Sequence, residues 1–88
     1  MTISNERIEV EQERLMLAYE QFASRMKLKL LEKLAEGWSG WDNVNAFADS
    51  TLEARLKGAV RLKKWVNVAN FAMFMWDREW RRDHANKP

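Results

Sequence analysis

Residues 6–34, ERIEVEQERLMLAYEQFASRMKLKLLEKL, decide the fold of this chain. Apolar side chains recur along the stretch in steps of three, four or seven residues, at Ile8, Leu15, Tyr19, Phe22, Met26, Leu30 and Leu34. This spacing places them on one face of an α-helix, in the rhythm of a coiled coil. Ser4 or Asn5 can cap the start of the helix, and Gly37 is a typical C-terminal stop. The pattern predicts a first helix over about residues 4–36, roughly 45 Å long at 1.5 Å per residue.

A second long helix is predicted over about residues 51–82. Ser50 and Glu53 have the spacing of a capping box, in which Ser50 is the N-cap. Residues 65–80 are apolar on nearly every helical face, which is typical of a helix buried on most sides. The second helix is either continuous or broken near residues 58–64.

Residues 37–50, GWSGWDNVNAFADS, connect the two helices. The glycines, tryptophans and short polar side chains predict an ordered loop, with one short helical turn near residues 44–48 as an option. Trp38 and Trp41 either pack as lids over the edge of the core or stand exposed as stacking platforms for a base. Residues 83–88 are expected to form a frayed tail.

The predicted architecture is all-α, with residues 1–88 as a single domain. The first helix is too long for the rest of an 88-residue chain to cover, which indicates dimerisation. Residues 1–50 carry 6 basic and 9 acidic side chains, and residues 51–88 carry 9 basic and 4 acidic ones. Opposite charges on the two halves favour antiparallel packing, within one chain or between two. We therefore predict a helical hairpin that dimerises into a four-helix bundle.

The composition excludes several classes of protein. The chain has no Cys, which excludes a disulfide scaffold, a cysteine-based zinc site and a cysteine nucleophile. Its one histidine, His84, excludes a multi-histidine metal site and is expected to be a solvated tail residue. The polar start is unlike a signal peptide, and no apolar run reaches the about 20 residues of a membrane span. We predict a cytoplasmic protein with no cofactor, no metal ion and no membrane association.

Four side chains of the apolar stretch are predicted to fix register or oligomeric state: Asn67, Asn70, Phe71 and Phe74. Asn67 and Asn70 are three residues apart and share one helical face. Buried amides need hydrogen-bond partners, and a buried Asn sets the register of coiled coils. A polar pair between helices is one interpretation of the two asparagines, and contact with a ligand is the other.

The second half of the chain also supplies a candidate basic surface for a partner. It consists of Arg55, Lys57, Arg61, Lys64, Arg78, Arg81 and Arg82. The alternative is a solvated helix face without a partner. Nucleic acid is a less favoured partner, because the formal net charge is only +2 and the sequence has no signature of a nucleic-acid-binding fold.

Two stretches resemble a known family: KLLEKLAEGWSGWDNV at residues 29–44 and WVNVANFAMFMWDR at residues 65–78. They resemble small phage- and prophage-encoded proteins of the MazG-like type, which are all-α nucleoside triphosphate pyrophosphohydrolases. Those proteins have a Gly-Trp-Asp turn and, later, a helix similar to VANFAMFMW. The resemblance implies an all-α scaffold that dimerises through the apolar helix.

The resemblance also implies which residues would hold Mg²⁺: an ExxE pair on one helix and an ExxD pair on the next. Here the Asp of the second pair corresponds to Asn67, and the Glu before it corresponds to Lys64. The region that matches the preceding helix, residues 56–62, has no acidic side chain. An amide brings no charge to a cation and an ammonium group repels one. The departures from the family therefore predict that this chain is not an enzyme.

The favoured hypothesis is a non-catalytic, phage-encoded interaction protein that forms a homodimer and binds a host or phage protein. An inhibitor of bacterial defence, such as an anti-CRISPR protein, is the preferred version. The alternative is a MazG-like pyrophosphohydrolase, or a relic of that scaffold that binds nucleotides or nucleic acid through Trp38, Trp41 and the basic helix.

Overall fold

The structure, a computed structural model, describes residues 5–85 as three α-helices: α1 (Asn5–Ala35), α2 (Asp49–Arg61) and α3 (Trp65–Ala85). The prediction of an all-α fold is confirmed over these residues. α3 packs against both α1 and α2, and residues 36–48 form the connector between α1 and α2. The second predicted helix is two helices, because the chain breaks at residues 62–64, inside the stretch where a break was the alternative.

α1 ends at Ala35, and Gly37 is its C-terminal stop, as predicted. Gly37 has a φ of +96°, a left-handed conformation that glycine adopts without steric cost. The Trp38 N–H donates to the Lys33 carbonyl at 2.9 Å, and the Gly37 N–H donates to the Leu34 carbonyl at 3.0 Å. This pair of hydrogen bonds is a Schellman motif, which satisfies carbonyls that the helix end leaves without partners.

The connector is built of turns. The Asn43 carbonyl accepts hydrogen bonds from the N–H groups of Ala46 and Phe47, both at 3.0 Å. The Asn43 side chain accepts a further one from the Asn45 N–H at 2.9 Å. The optional short helix at residues 44–48 is therefore a hydrogen-bonded turn rather than a regular helix.

The capping-box prediction is wrong. α2 begins at Asp49, its N-cap is Ala48 rather than Ser50, and no side chain caps it. Asp49 lies in the first turn, where the helix dipole favours a carboxylate. Its two oxygens accept hydrogen bonds from Arg78 and Arg82 of α3. The first turn of α2 is thus held by ion pairs to α3, and no local capping box forms.

α2 ends in a second Schellman motif, in which Lys63 takes the left-handed position with a φ of +58°. The Lys64 N–H donates to the Ala59 carbonyl at 2.9 Å, and the Lys63 N–H donates to the Val60 carbonyl at 3.0 Å. A residue with a side chain costs roughly 1–2 kcal/mol in this conformation. The tertiary fold thus imposes a helix end at a residue whose type does not favour it.

Replacing Lys63 by Gly is expected to raise the free energy of unfolding by about 0.5–1 kcal/mol. Glycine removes the steric cost of the positive φ, and the greater entropy of the unfolded glycine offsets part of that gain. Urea unfolding followed by circular dichroism at fixed protein concentration measures the change. Lys64→Gly is the matched control and is expected to lower stability. An equal response to both substitutions would contradict the proposed strain at Lys63.

The buried core is small. Among the residues that the structure describes, Leu52 and Ala59 are the only buried apolar residues, and Asn70 and Arg78 are the buried polar ones. α1 has no buried residue along its 31 positions. Many large apolar side chains are exposed in the single chain, although burial of apolar surface is the main driving force for folding.

The prediction of a frayed tail is wrong for residues 83–85. α3 extends past residue 82, so residues 83–85 are helical rather than frayed. Residues 86–88, and Ser4 as one of the two candidate caps of the first helix, lie outside the described residues. His84 is exposed, but it belongs to this last turn, where its ring stacks on Trp80 with 4.0 Å between centroids.

Candidate functional site

Arg78 holds the connector against α3. It is only 5% exposed, so its assignment to an exposed basic surface is wrong. Its guanidinium donates to the carbonyls of Trp41 (2.7 and 2.9 Å), Phe47 (2.6 Å) and Asn43 (3.4 Å), and to Asp49 Oδ1 at 3.0 Å. The planar fork of an arginine can satisfy several acceptors at once, whereas a lysine ammonium cannot match that geometry. Arg78 is therefore a structural anchor.

The pKa of Asp49 is lowered in the folded protein. The hydrogen bond from Arg78 holds the pKa of Asp49 below its ordinary value of 3.8, and the hydrogen bond and charge of Arg82 add to the effect. Partial desolvation of the carboxyl acts in the opposite direction and is outweighed. The charged form of Asp49 is thus the form that joins α2 to α3.

A cavity of about 480 Å³ lies between α1, the connector, α2 and α3. Its walls are mainly apolar, with contributions from Leu30, Leu34, Trp38, Trp41, Phe71 and Phe74. Three cationic side chains also line it: Lys29, Lys33 and Arg55. No acidic side chain of residues 5–85 is part of the lining. The cavity therefore combines an apolar interior with positive charge, which suits an occupant that is both apolar and acidic.

The two connector tryptophans occupy different environments in this cavity. Trp41 is half-buried and stacks on Phe74, with 5.0 Å between centroids. Trp38 is 49% exposed and lies between two cations, 5.4 Å from the Arg55 guanidinium and 5.9 Å from the Lys33 ammonium. Trp41 thus packs as a lid, while Trp38 keeps half of its surface available for a partner.

The four predicted register residues, Asn67, Asn70, Phe71 and Phe74, all line the same cavity. Asn70 is 5% exposed, and its amide donates to the Met26 carbonyl of α1 at 3.4 Å. Its Oδ1 is buried without a hydrogen-bond partner among the described residues. Asn70 therefore joins α3 to α1 within one chain, and no hydrogen bond to Asn67 accompanies it as a polar pair.

The other members of the predicted basic surface are exposed. Lys57 pairs with Glu53 at 3.1 Å, Arg81 with Asp77 at 2.7 Å, and Arg82 with Asp49 at 3.2 Å. The Lys57–Glu53 and Arg82–Asp49 pairs are exposed and contribute little to stability, whereas the Asp77 side chain is only 21% exposed. Arg61 and Lys64 lie at the end of α2 and just beyond it, away from the cavity lining. Of the whole predicted set, only Arg55 lines the cavity.

Sequence reasoning missed Lys29 and Lys33 as site residues, and it misplaced Arg78. A signal for Arg78 was present, because it follows Asn70 and Phe74 at intervals of four and thus shares their helix face. The lysines gave no such signal, since a cation beside an apolar stripe is common on solvated helices.

The apolar stripe of the first helix is mostly exposed in the single chain. Leu15 is 65% exposed and Tyr19 is 66% exposed, and every residue from 5 to 22 is exposed. Further along, Met26 and Leu30 are half-buried where α1 meets α3 and the cavity. The stripe is thus half-buried at Met26 and Leu30, and it is exposed over its N-terminal half and at Leu34.

Comparison of the chain with protein-family models, with curated proteins and with solved structures finds no significant match in any of the three. Within residues 5–85, no three acidic or histidine side chains converge as metal ligands would. None of the three helices combines the length and apolarity that a bilayer span requires, over the part of the chain that the structure describes.

Proposed function

We propose that this chain is a non-catalytic interaction protein that forms a homodimer through α1 and binds a further protein. The preferred version is a phage-encoded inhibitor that acts on a bacterial defence protein in the cytoplasm, in keeping with the family resemblance. The observation that carries the proposal is α1 itself, a 31-residue helix with an apolar stripe and no buried residue.

Self-association would bury this exposed apolar stripe. Monomeric soluble proteins rarely leave a large continuous apolar patch in water, and such patches mark interaction sites. An apolar stripe in coiled-coil rhythm is buried when a second helix packs against it. A second copy supplies that helix without requiring any further sequence, and two-fold dimers are the commonest oligomers.

The proposal of a non-catalytic role rests on the side chains at the positions that match the family's metal site. Lys64 is an exposed ammonium group at the end of the break between α2 and α3. Asn67 is a half-buried amide that lines the cavity. Neither supplies the negative charge that a divalent cation needs, whereas MazG-like chemistry would rely on several carboxylates around it.

The test of self-association uses two leucines on opposite sides of α1. Leu15 belongs to the apolar stripe and is 65% exposed, whereas Leu17 lies off the stripe and is 56% exposed. Wild-type protein is expected to sediment at twice its 10.5 kDa chain mass, and Leu15→Glu is expected to sediment as a monomer. Leu17→Glu is the control and is expected to stay dimeric. A monomeric wild-type protein, or dissociation by Leu17→Glu alone, would count against dimerisation through the stripe.

The test of partner binding is capture from a bacterial lysate with tagged protein and identification by mass spectrometry. A stoichiometric complex is expected that Trp76→Ala disrupts, because Trp76 is a 61% exposed aromatic residue outside the cavity lining, and exposed aromatic residues often dominate interface energetics. Lys57→Ala is the control, since Lys57 is exposed and paired only with Glu53 of its own helix. Failure to capture any stoichiometric protein would oppose this part of the proposal.

A second candidate function is favoured by the cation–aromatic cluster of Lys33, Trp38 and Arg55. An aromatic ring beside two cations could hold a base and its phosphate groups in a nucleotide-binding relic of the family scaffold. Calorimetric titration with nucleoside triphosphates in the presence of Mg²⁺ tests this candidate. Saturable binding that Trp38→Ala abolishes would support it over the protein partner.

A further inference from the structure

We infer that the cavity of one chain is filled by the N-terminal half of α1 from a second copy, so that two chains exchange these segments in an antiparallel dimer. This inference rests on the proposed self-association and adds its orientation and its contact site. The N-terminal half, residues 5–20 of α1, is called the arm below.

The arm is not buried by any other part of residues 5–85. All of its residues are exposed, including the apolar side chains of Ile8, Leu15 and Tyr19. At 1.5 Å per residue, α1 is about 46 Å long, and the molecule's longest dimension is 53 Å. The three-helix part of the fold occupies one end of α1, and the arm extends away from it.

Charge decides the direction in which a second copy packs. The arm carries five glutamates and two arginines, a net charge of −3. Residues 21–35 of α1 carry four basic residues and one glutamate, a net charge of +3. An antiparallel pair of α1 helices places each acidic half beside a basic half, whereas a parallel pair would place like charges together.

The cavity offers the arm a complementary surface. Its lining is apolar with three cations and no acidic side chain of residues 5–85, and the arm is apolar with an excess of acidic side chains. The stripe itself leads into the cavity, because Leu30 and Leu34 belong to both. A helix packed antiparallel on that stripe therefore brings its own N-terminal half over the cavity. The two-fold symmetry repeats the contact, so both cavities are filled by one arrangement.

Cross-linking through introduced cysteines tests the orientation. The chain has no cysteine of its own, so only the introduced thiols can react with the linker. Two single variants are prepared, Ile8→Cys on the arm and Lys33→Cys at the cavity, and each is treated with a short bismaleimide linker. In an antiparallel dimer centred near residue 21, the two copies of position 8 lie about 39 Å apart along the helices. Neither variant alone is then expected to give a cross-linked dimer. A mixture of the two is expected to give one, because position 8 of one copy lies beside position 33 of the other.

The outcomes separate this inference from the proposed function. Self-linking of Ile8→Cys would show a parallel dimer and would overturn the antiparallel exchange while leaving self-association in place. A monomeric wild-type protein in sedimentation would overturn both. A dimer that gives no link in the mixture would leave the cavity open to another protein or a small ligand, and would equally overturn the arm as its occupant.

A charge exchange tests the contact between arm and cavity. One chain carries Glu9→Lys, Glu11→Lys and Glu13→Lys, and the other carries Lys29→Glu and Lys33→Glu. Each variant alone opposes like charges and is expected to dimerise at least about tenfold more weakly than wild type. Their mixture pairs opposite charges at both contacts and is expected to recover heterodimers at low salt. Two variants that dimerise as well alone as in the mixture would contradict the inference, with circular dichroism as the control for folding.

Discussion

Replacement of Arg78 by Leu is expected to lower the free energy of unfolding by about 3–5 kcal/mol, the usual cost of removing one partner from a buried charged network. The substitution leaves the carbonyls of Trp41 and Phe47 without their donor and Asp49 without its buried partner. Small domains have only about 5–15 kcal/mol of stability in total, so this one side chain accounts for a large share. Urea unfolding at fixed protein concentration measures the change.

Arg82→Ala is the control for Arg78→Leu. Arg82 binds the other oxygen of Asp49 at 3.2 Å, but its side chain is exposed. Exposed ion pairs are worth about 1 kcal/mol or less, so this variant is expected to lose at most that amount. If the two arginine variants proved equally stable, the anchoring of the connector by Arg78 would be refuted.

Acid supplies a second readout of the same network. The pKa of Asp49 is lowered in the folded protein, so its stabilising effect is complete above its ordinary value of 3.8. That stabilisation is lost as the pH falls through the lowered folded pKa. Asp49→Asn is expected to remove this component from the acid unfolding curve.

The helical content and the long first helix could be predicted because both follow from the local spacing of apolar residues. The end of α1 could be predicted for the same reason, since Gly37 is the residue type that a Schellman motif favours. The start of α2 could not, because Ser50 and Glu53 form no capping box, and Asp49 is held instead by two arginines some thirty residues away. The end of α2 could not be predicted either, since Lys63 adopts a positive φ that its residue type does not favour.

The site was predictable only in part. Phe71, Phe74 and the asparagines share a helix face by spacing alone, and they do line one cavity. The cationic lining depends on how the tertiary structure places the C-terminal half of α1, the connector and α2 around one cavity. Arg78 shows the same limit, because a basic residue near a helix end resembles a surface residue until its acceptors are known.

Gly40→Ala is expected to be the second most damaging substitution, and to lower the free energy of unfolding by about 2–5 kcal/mol. Gly40 has a φ of +92°, and an added Cβ would lie 2.9 Å from the Cβ of Ala46. The positive φ accounts for roughly 1–2 kcal/mol of the loss, and the overlap adds roughly 1–3 kcal/mol, as overpacking does elsewhere. Gly40 directly precedes Trp41, so displacement of the connector is also expected to disturb the stacking of Trp41 on Phe74.

Two further variants separate the strain at Gly40 from the overlap. Gly37 has nearly the same φ, +96°, but an added Cβ there meets nothing within 4 Å, so Gly37→Ala is expected to show the φ cost alone. The double variant Gly40→Ala/Ala46→Gly removes the overlap and is expected to recover most of the difference between Gly40→Ala and Gly37→Ala. No recovery in the double variant would mean that the connector relaxes around the new methyl group. The close approach at Gly40 would then have no part in shaping the cavity that Trp41 covers.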